Sequence, residues 1–197
     1  VSLATRLLNA NPGAQVTTAL TGALTTPGAK GVFFDGDFQS ISSQTITANT
    51  TQITLNSIPS TYSSLQLRIF AKKDTGANDA IALHFNNDMT NSNYGYHCML
   101  GDGASSTQSV IASRADMGSV RSAAWNTTVI DIPDYTSTTK TKVRRSLSGS
   151  MTIAAGSVFY FSGSWNNTAA ITRIDIRTSN GNDFIPGSVF ALYGLKG

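Results

Sequence analysis

The stretch GSVFALYGLKG, running from Gly187 to Gly197, decides the fold class. In a β-strand the side chains alternate between two faces. Val189, Ala191, Tyr193 and Leu195 then share one face, and Phe190, Leu192 and Gly194 share the other. Both faces are mostly apolar, which is the pattern of a strand buried within a sandwich. Chain ends fray unless something ties them down. This strand is expected to be tied down by the core.

Working back from it, short apolar runs recur every 8 to 15 positions, broken by turn residues. The expected strands are 44–47, 52–55, 64–72, 80–85, 94–99, 109–113, 124–132, 141–148, 157–165, 171–178 and 188–195. Leu65, Leu67 and Ile69 alternate with Gln66, Arg68 and Phe70. Ile81, Leu83 and Phe85 alternate with small residues and His84. The segments DTGAND, NNDMTNSN, GDGASS and SNGNDF supply turn chemistry between the runs. No strand–helix–strand rhythm and no fixed 20–50-residue repeat is present. The pattern predicts an all-β protein: an antiparallel two-sheet sandwich of jelly-roll type, with an extended N-terminal arm.

Composition agrees. All 11 acidic residues are Asp, and Ser and Thr together supply roughly a quarter of the chain. Helix surfaces draw on Glu, Lys and Gln, whereas Thr and aromatics favour strands and Ser, Asn, Asp and Gly favour turns. The net charge of +3 is too small to argue for nucleic acid. Cys98 is the only cysteine, which excludes an intrachain disulfide and a cysteine-based zinc site. No apolar run approaches the roughly 18 residues of a membrane span. The N-terminal residues lack a basic start before an apolar core, so no signal peptide is expected.

Residues 1–38 read as an arm and 39–197 as the sandwich domain. The arm is rich in Gly, Ala, Thr and Pro and lacks strand alternation, so it adds little to a core. It nevertheless carries Leu3, Leu7, Leu8, Phe33, Phe34 and Phe38, which are too apolar to leave in water, and Arg6, which suits an acidic partner. These residues are the expected contacts with a sister subunit or another protein.

Signs of catalysis are few. There is no G-x-S-x-G, G-x-G-x-x-G or P-loop sequence. His84 and His97 are the only histidines and are read as structural. Asp35 and Asp37, and Asn180, Asn182 and Asp183, cluster oxygen ligands, but the distal Glu of a calcium hand is missing, and no metal or cofactor is expected. In KTKVRR, Lys140, Lys142 and Arg144 share one strand face. They are read as a solvated edge strand guarded by charge, or as a contact face for an acidic partner. Trp125 and Trp165 are read as core or sheet-rim residues, with Trp165 the better candidate for a sugar-stacking platform.

The segments SIPSTYSSLQLRIFAK, NYGYHCMLGDG, IPDYTSTTKTK and GSWNNTAAITRIDIRTSNGNDFIPGSVFALYGLKG resemble a group of tailed-bacteriophage virion proteins. The marks are Ile-Pro-x-x-Tyr leading into a strand, Asn-Tyr-x-x-His, and a GS-x-F-x-LYG ending. The resemblance covers residues 41 to 197 and leaves the arm outside. It implies a virion structural protein without enzymatic activity. The first expectation is a head decoration (cement) protein, with the major capsid protein and two further copies in a trimer as its expected partners. A tail-fibre or receptor-binding module gripping host glycan is the alternative. Neither nucleic acid nor membrane is an expected partner.

Overall fold

The computed structural model describes residues 38–152 and 156–196. In chain order the strands are β1 (Phe38–Thr45), β2 (Gln52–Leu55), β3 (Ser64–Ala71), β4 (Asp79–Phe85), β5 (Tyr94–Gly101) and β6 (Ser106–Ala112). They continue with β7 (Asp116–Val120), β8 (Asn126–Pro133), β9 (Lys142–Met151), β10 (Gly156–Trp165), β11 (Ile174–Thr178) and β12 (Val189–Leu195). One 3-10 turn, Asn91–Asn93, precedes β5, and no α-helix occurs among the described residues.

The strands form an eight-stranded sheet ordered β1-β12-β3-β8-β9-β10-β5-β6 and a four-stranded sheet ordered β2-β11-β4-β7. All pairings are antiparallel. Without the β9–β10 hairpin and the outer pair β12 and β1, the order is β3-β8-β5-β6 facing β2-β11-β4-β7. This is the jelly-roll arrangement, in which the chain crosses repeatedly between two sheets. The core between them is built by alternation. Leu65, Leu67, Ile69, Ile130, Ile132, Phe190 and Leu192 come from the large sheet, and Ile53, Leu55, Ile81, Leu83, Phe85, Ile174 and Ile176 from the small one.

The closing strand pairs with β1 on one side and β3 on the other. Phe190 and Leu192 are fully buried, each contributing about 1.5–3 kcal/mol. Val189, Tyr193 and Leu195, on the opposite face, are only half-buried. Tyr193 lies beneath the Arg68 guanidinium, 4.7 Å from the ring centroid. Burial on both faces is thus met fully on the core face alone, because no described layer covers the outside of the large sheet.

Gly194 lies against the ring of Tyr62: a Cβ there would come within 2.2 Å of it. Tyr62 in turn donates its hydroxyl to Gln39 in β1 at 3.0 Å. The Tyr135 hydroxyl donates to the Pro59 carbonyl. The Ile-Pro-x-x-Tyr, IPDY and LYG segments therefore meet one another and close this end of the sandwich.

Two strands depart from the sequence expectation. The strand β7 was not expected, because DMGSV does not alternate and has a single β-branched residue, Val120; all of it is buried. The segment KTKVRR is not a solvated edge. It leads into β9, which lies centrally between β8 and β10, and the apolar and polar faces of β9 are inverted. Lys142, Arg144, Ser146 and Ser148 point inward and are buried, while Val143, Leu147 and Met151 point outward.

The cause is the free edge of β7, which leans on β9. Backbone groups of a buried edge strand need partners. Arg144 Nη1 donates to the Ala115 carbonyl at 3.2 Å, and the Ser146 hydroxyl donates to the Met117 carbonyl. Ser148 Oγ accepts the Ser119 amide at 2.9 Å. Alternate residues from Ala115 to Ser119, along β7 and its approach, are thus paired by alternate side chains of β9. Lys142 Nζ likewise donates to the carbonyls of Ser137, Lys140 and Thr168 at 2.6, 2.9 and 3.0 Å. A contact face of Lys140, Lys142 and Arg144 therefore does not exist as a surface. Only Lys140 is exposed, 2.6 Å from Asp134.

Candidate functional site

The register places the outward residues of the large sheet in rows. One row runs Arg68, Val129, Leu147, Tyr160, Met99 and Gln108 across β3, β8, β9, β10, β5 and β6. Its middle four residues are apolar or aromatic on adjacent strands, a band about 14 Å wide at ~4.8 Å per strand. Leu147 is 57% exposed and Met99 62%. Val158 and Met151 extend the band along β10 and β9 and are also exposed, whereas the exposed Val143 lies beyond the next row. The next row is polar: Gln66, Asp131, Arg145, Ser162 and His97. Gln66 ties it together, donating to Asp131 at 2.9 Å and accepting from Arg68 at 2.8 Å. An apolar band rimmed by polar groups is the layout of a protein-docking surface.

At one end of this face lies a groove of about 790 Å³. Its wall is Trp125 stacked on Phe70, with ring centroids 5.0 Å apart and planes 8° from parallel. Gly149 and Gly101 flank Val158 on the neighbouring strands, and the missing side chains open the floor. Met151 and the turn at Asp102–Ala104 close the far side. Thr127 contributes an exposed hydroxyl. Of the two tryptophans, Trp125 is the exposed one. Trp165, expected as the platform, is buried against Tyr94 and Phe85, and its indole donates to Asp88 at 2.8 Å. Nothing in the sequence around Trp125 distinguishes it, since its stacking partner Phe70 comes from another strand.

The remaining residues singled out for chemistry are dispersed. His84 is buried on β4, with Nε2 3.5 Å from Asn91 Oδ1; His97 is exposed on β5 in the other sheet. Desolvation holds the His84 imidazole below its ordinary value, with Arg177 and Arg144 acting in the same direction. Burial pushes the Cys98 thiol upward, which suppresses the reactive thiolate. Tyr96 is pushed up to about 12 by burial and by the adjacent Asp116 carboxylate. Asn182 Oδ1 accepts from the ammonium of Lys73 at 3.2 Å, so a protein cation sits at the NGND turn. Among the described residues no group of three or more His, Cys, Asp or Glu side chains could hold a metal. None of the described helices is long and apolar enough to cross a membrane. The arm residues Leu3, Arg6, Leu7, Leu8, Phe33 and Phe34, and the Asp35/Asp37 pair, lie outside the described residues. Phe38, counted with the arm, is the first residue of β1, with the Arg68 guanidinium 5.3 Å from its ring centroid.

Comparison of the chain with protein-family models, curated proteins and solved structures returns no match.

Proposed function

We propose that this chain is a bacteriophage head decoration protein. It docks on the major capsid protein, as a trimer, through the outer face of its large sheet. The carrying observation is the inverted strand β9. Its polar side chains are used internally and its apolar ones, Val143, Leu147 and Met151, are presented outward. A strand that spends Lys142, Arg144, Ser146 and Ser148 on its own interior leaves an apolar exterior that a monomer in water does not need. The sequence resemblance to virion structural proteins supplies the setting. In that role the protein acts by area: many modest contacts spread over the shell resist internal pressure.

The test uses Leu147→Arg and Met99→Arg, both at exposed positions, added to phage heads stripped of the protein. The expected result is an unchanged melting temperature with loss of head binding for each variant. Full occupancy by both variants would refute the docking face.

The Phe70–Trp125 groove favours a second reading, a receptor-binding module on the tail. Aromatic platforms beside hydroxyl and carboxylate groups suit sugar rings, and the groove lies within the size range of ligand sites. On that reading Trp125→Ala abolishes binding to host-surface glycan and leaves head binding untouched.

A further inference from the structure

On the outside of the small sheet a second cavity, of about 450 Å³, differs in character from the groove. Cross-strand register builds it: Gln52, Arg177, Ala82 and Asp116 lie side by side on β2, β11, β4 and β7. Ala82 is small, so the row dips between Arg177 on one side and Asp116 on the other. His84, Met89 and Asn91 form one end and Ser179 and Asn180 the other, with Arg114 beside Asp116.

The charges in this cavity do not balance. Arg114 and Asp116 pair at 2.8 Å. Asp116 also receives the hydroxyls of Ser179 and Tyr96, so its acceptor capacity is in use. The neighbouring carboxylate Asp175 is held by two nitrogens of Arg173 at 2.7 and 2.8 Å and by Thr54 at 2.7 Å. Arg177 has no such partner. Its side-chain contact is the Met89 thioether at 3.6 Å, and among the described residues no carboxylate lies within ion-pair distance of it. Beside it, His84 is 6% exposed and its Nδ1 is enclosed without a hydrogen-bond partner. A half-buried guanidinium without a counter-charge, next to an unsatisfied buried imidazole, is costly unless something external completes it.

We propose that this cavity binds the carboxylate of a small acidic ligand, with Arg177 as the receiving group. The guanidinium offers a planar fork of donors that matches a carboxylate in two parallel bonds. Asn91 and Asn180 supply amide groups at either end for the rest of the ligand. Two arginines against one aspartate leave a single positive charge. One carboxylate neutralises it, whereas a phosphate dianion leaves an excess negative charge facing Asp116. The site lies on the opposite sheet from the docking face and does not depend on where the protein is carried.

The experiment is a titration of the full chain, followed through the NMR signals of the His84 ring at constant ionic strength. The probes are acetate, glucuronate and inorganic phosphate, with the protein unmodified and as Arg177→Gln. The expected result is a saturable shift with acetate and glucuronate, weaker binding of phosphate, and about a tenfold or greater loss of carboxylate affinity in Arg177→Gln, the size of one charge-assisted bidentate contact. Arg177→Lys, which keeps the charge without the fork, falls between the two. The proposal is overturned if neither carboxylate shifts His84 saturably by about 50 mM, well beyond the millimolar range of one such contact. It is equally overturned if Arg177→Gln binds as the unmodified protein does, or if phosphate binds as tightly as the carboxylates.

Discussion

Replacing Arg144 with methionine isolates the device that joins the small sheet to the large one. The guanidinium is fully buried, and desolvation pushes its pKa down to about 10, so it remains a cation at neutral pH. It donates to the Leu83 carbonyl at 2.6 Å and the Ala115 carbonyl at 3.2 Å, with a longer contact of 3.4 Å to Ser164. Its charge also lies 5.0 Å from the Tyr94 ring centroid and 5.6 Å from that of Phe85. Methionine refills most of the volume but cannot donate. Two backbone carbonyls lose a charged donor, at about 1–3 kcal/mol each, partly offset by no longer holding a desolvated cation. The net expectation is a loss of about 2–4 kcal/mol, or a fall of about 4–16 °C in melting temperature for a domain of this size. Calorimetry measures it, and hydrogen exchange locates it: the amides of β7 exchange faster than those of β3 or β8. Arg144→Lys keeps the charge and loses the fork, and falls between. A methionine variant melting within about 2 °C of the unmodified protein would mean that the edge of β7 does not need this donor.

Gly194→Ala drives a methyl into the Tyr62 ring, and the expected cost is about 1–3 kcal/mol by denaturant titration. Tyr62→Ala in the same chain recovers part of it by removing the clash; a double variant no more stable than Gly194→Ala contradicts the account. Asp88 concerns acid stability. Burial raises its carboxyl, but hydrogen bonds from Trp165, Asn93 and Thr90 outweigh this and hold it below its ordinary 3.8. Its folded value lies below its unfolded one, so its contribution is present above about pH 4 and is lost as pH falls through the folded value. Asp88→Asn therefore flattens the acid limb of the stability curve below about pH 4, and an unchanged limb contradicts the assignment.

The strands and the jelly roll were legible because alternation reports burial on one face, as in Leu65, Leu67 and Ile69. Strand β7 was not, because a short strand buried on both faces carries no alternation, and Asp116 and Ser119 disguised it. The reading of Lys142 and Arg144 failed for a related reason. Alternation shows that two sets of residues face opposite ways, and polarity was then used to decide which set faces water. In β9 that rule inverts, because the hydrogen bonds β7 requires are a tertiary fact invisible within either segment. The same inversion hid the outward apolar band proposed as the docking face, whose members are scattered through the sequence and meet only across adjacent strands. Of the residues in the segments that carry the resemblance, Tyr62, Tyr135 and Gly194 hold one end of the sandwich. Arg177 could not have been singled out, since its lack of an anionic partner depends on Asp116 and Asp175 being engaged elsewhere.

The most direct test of the central proposal is a reconstruction of the intact virion in which this density is located and counted. The expected result is trimers distributed over the head, with Leu147, Tyr160 and Met99 buried against the shell. A few copies confined to the tail, with that face open to solvent, would contradict it.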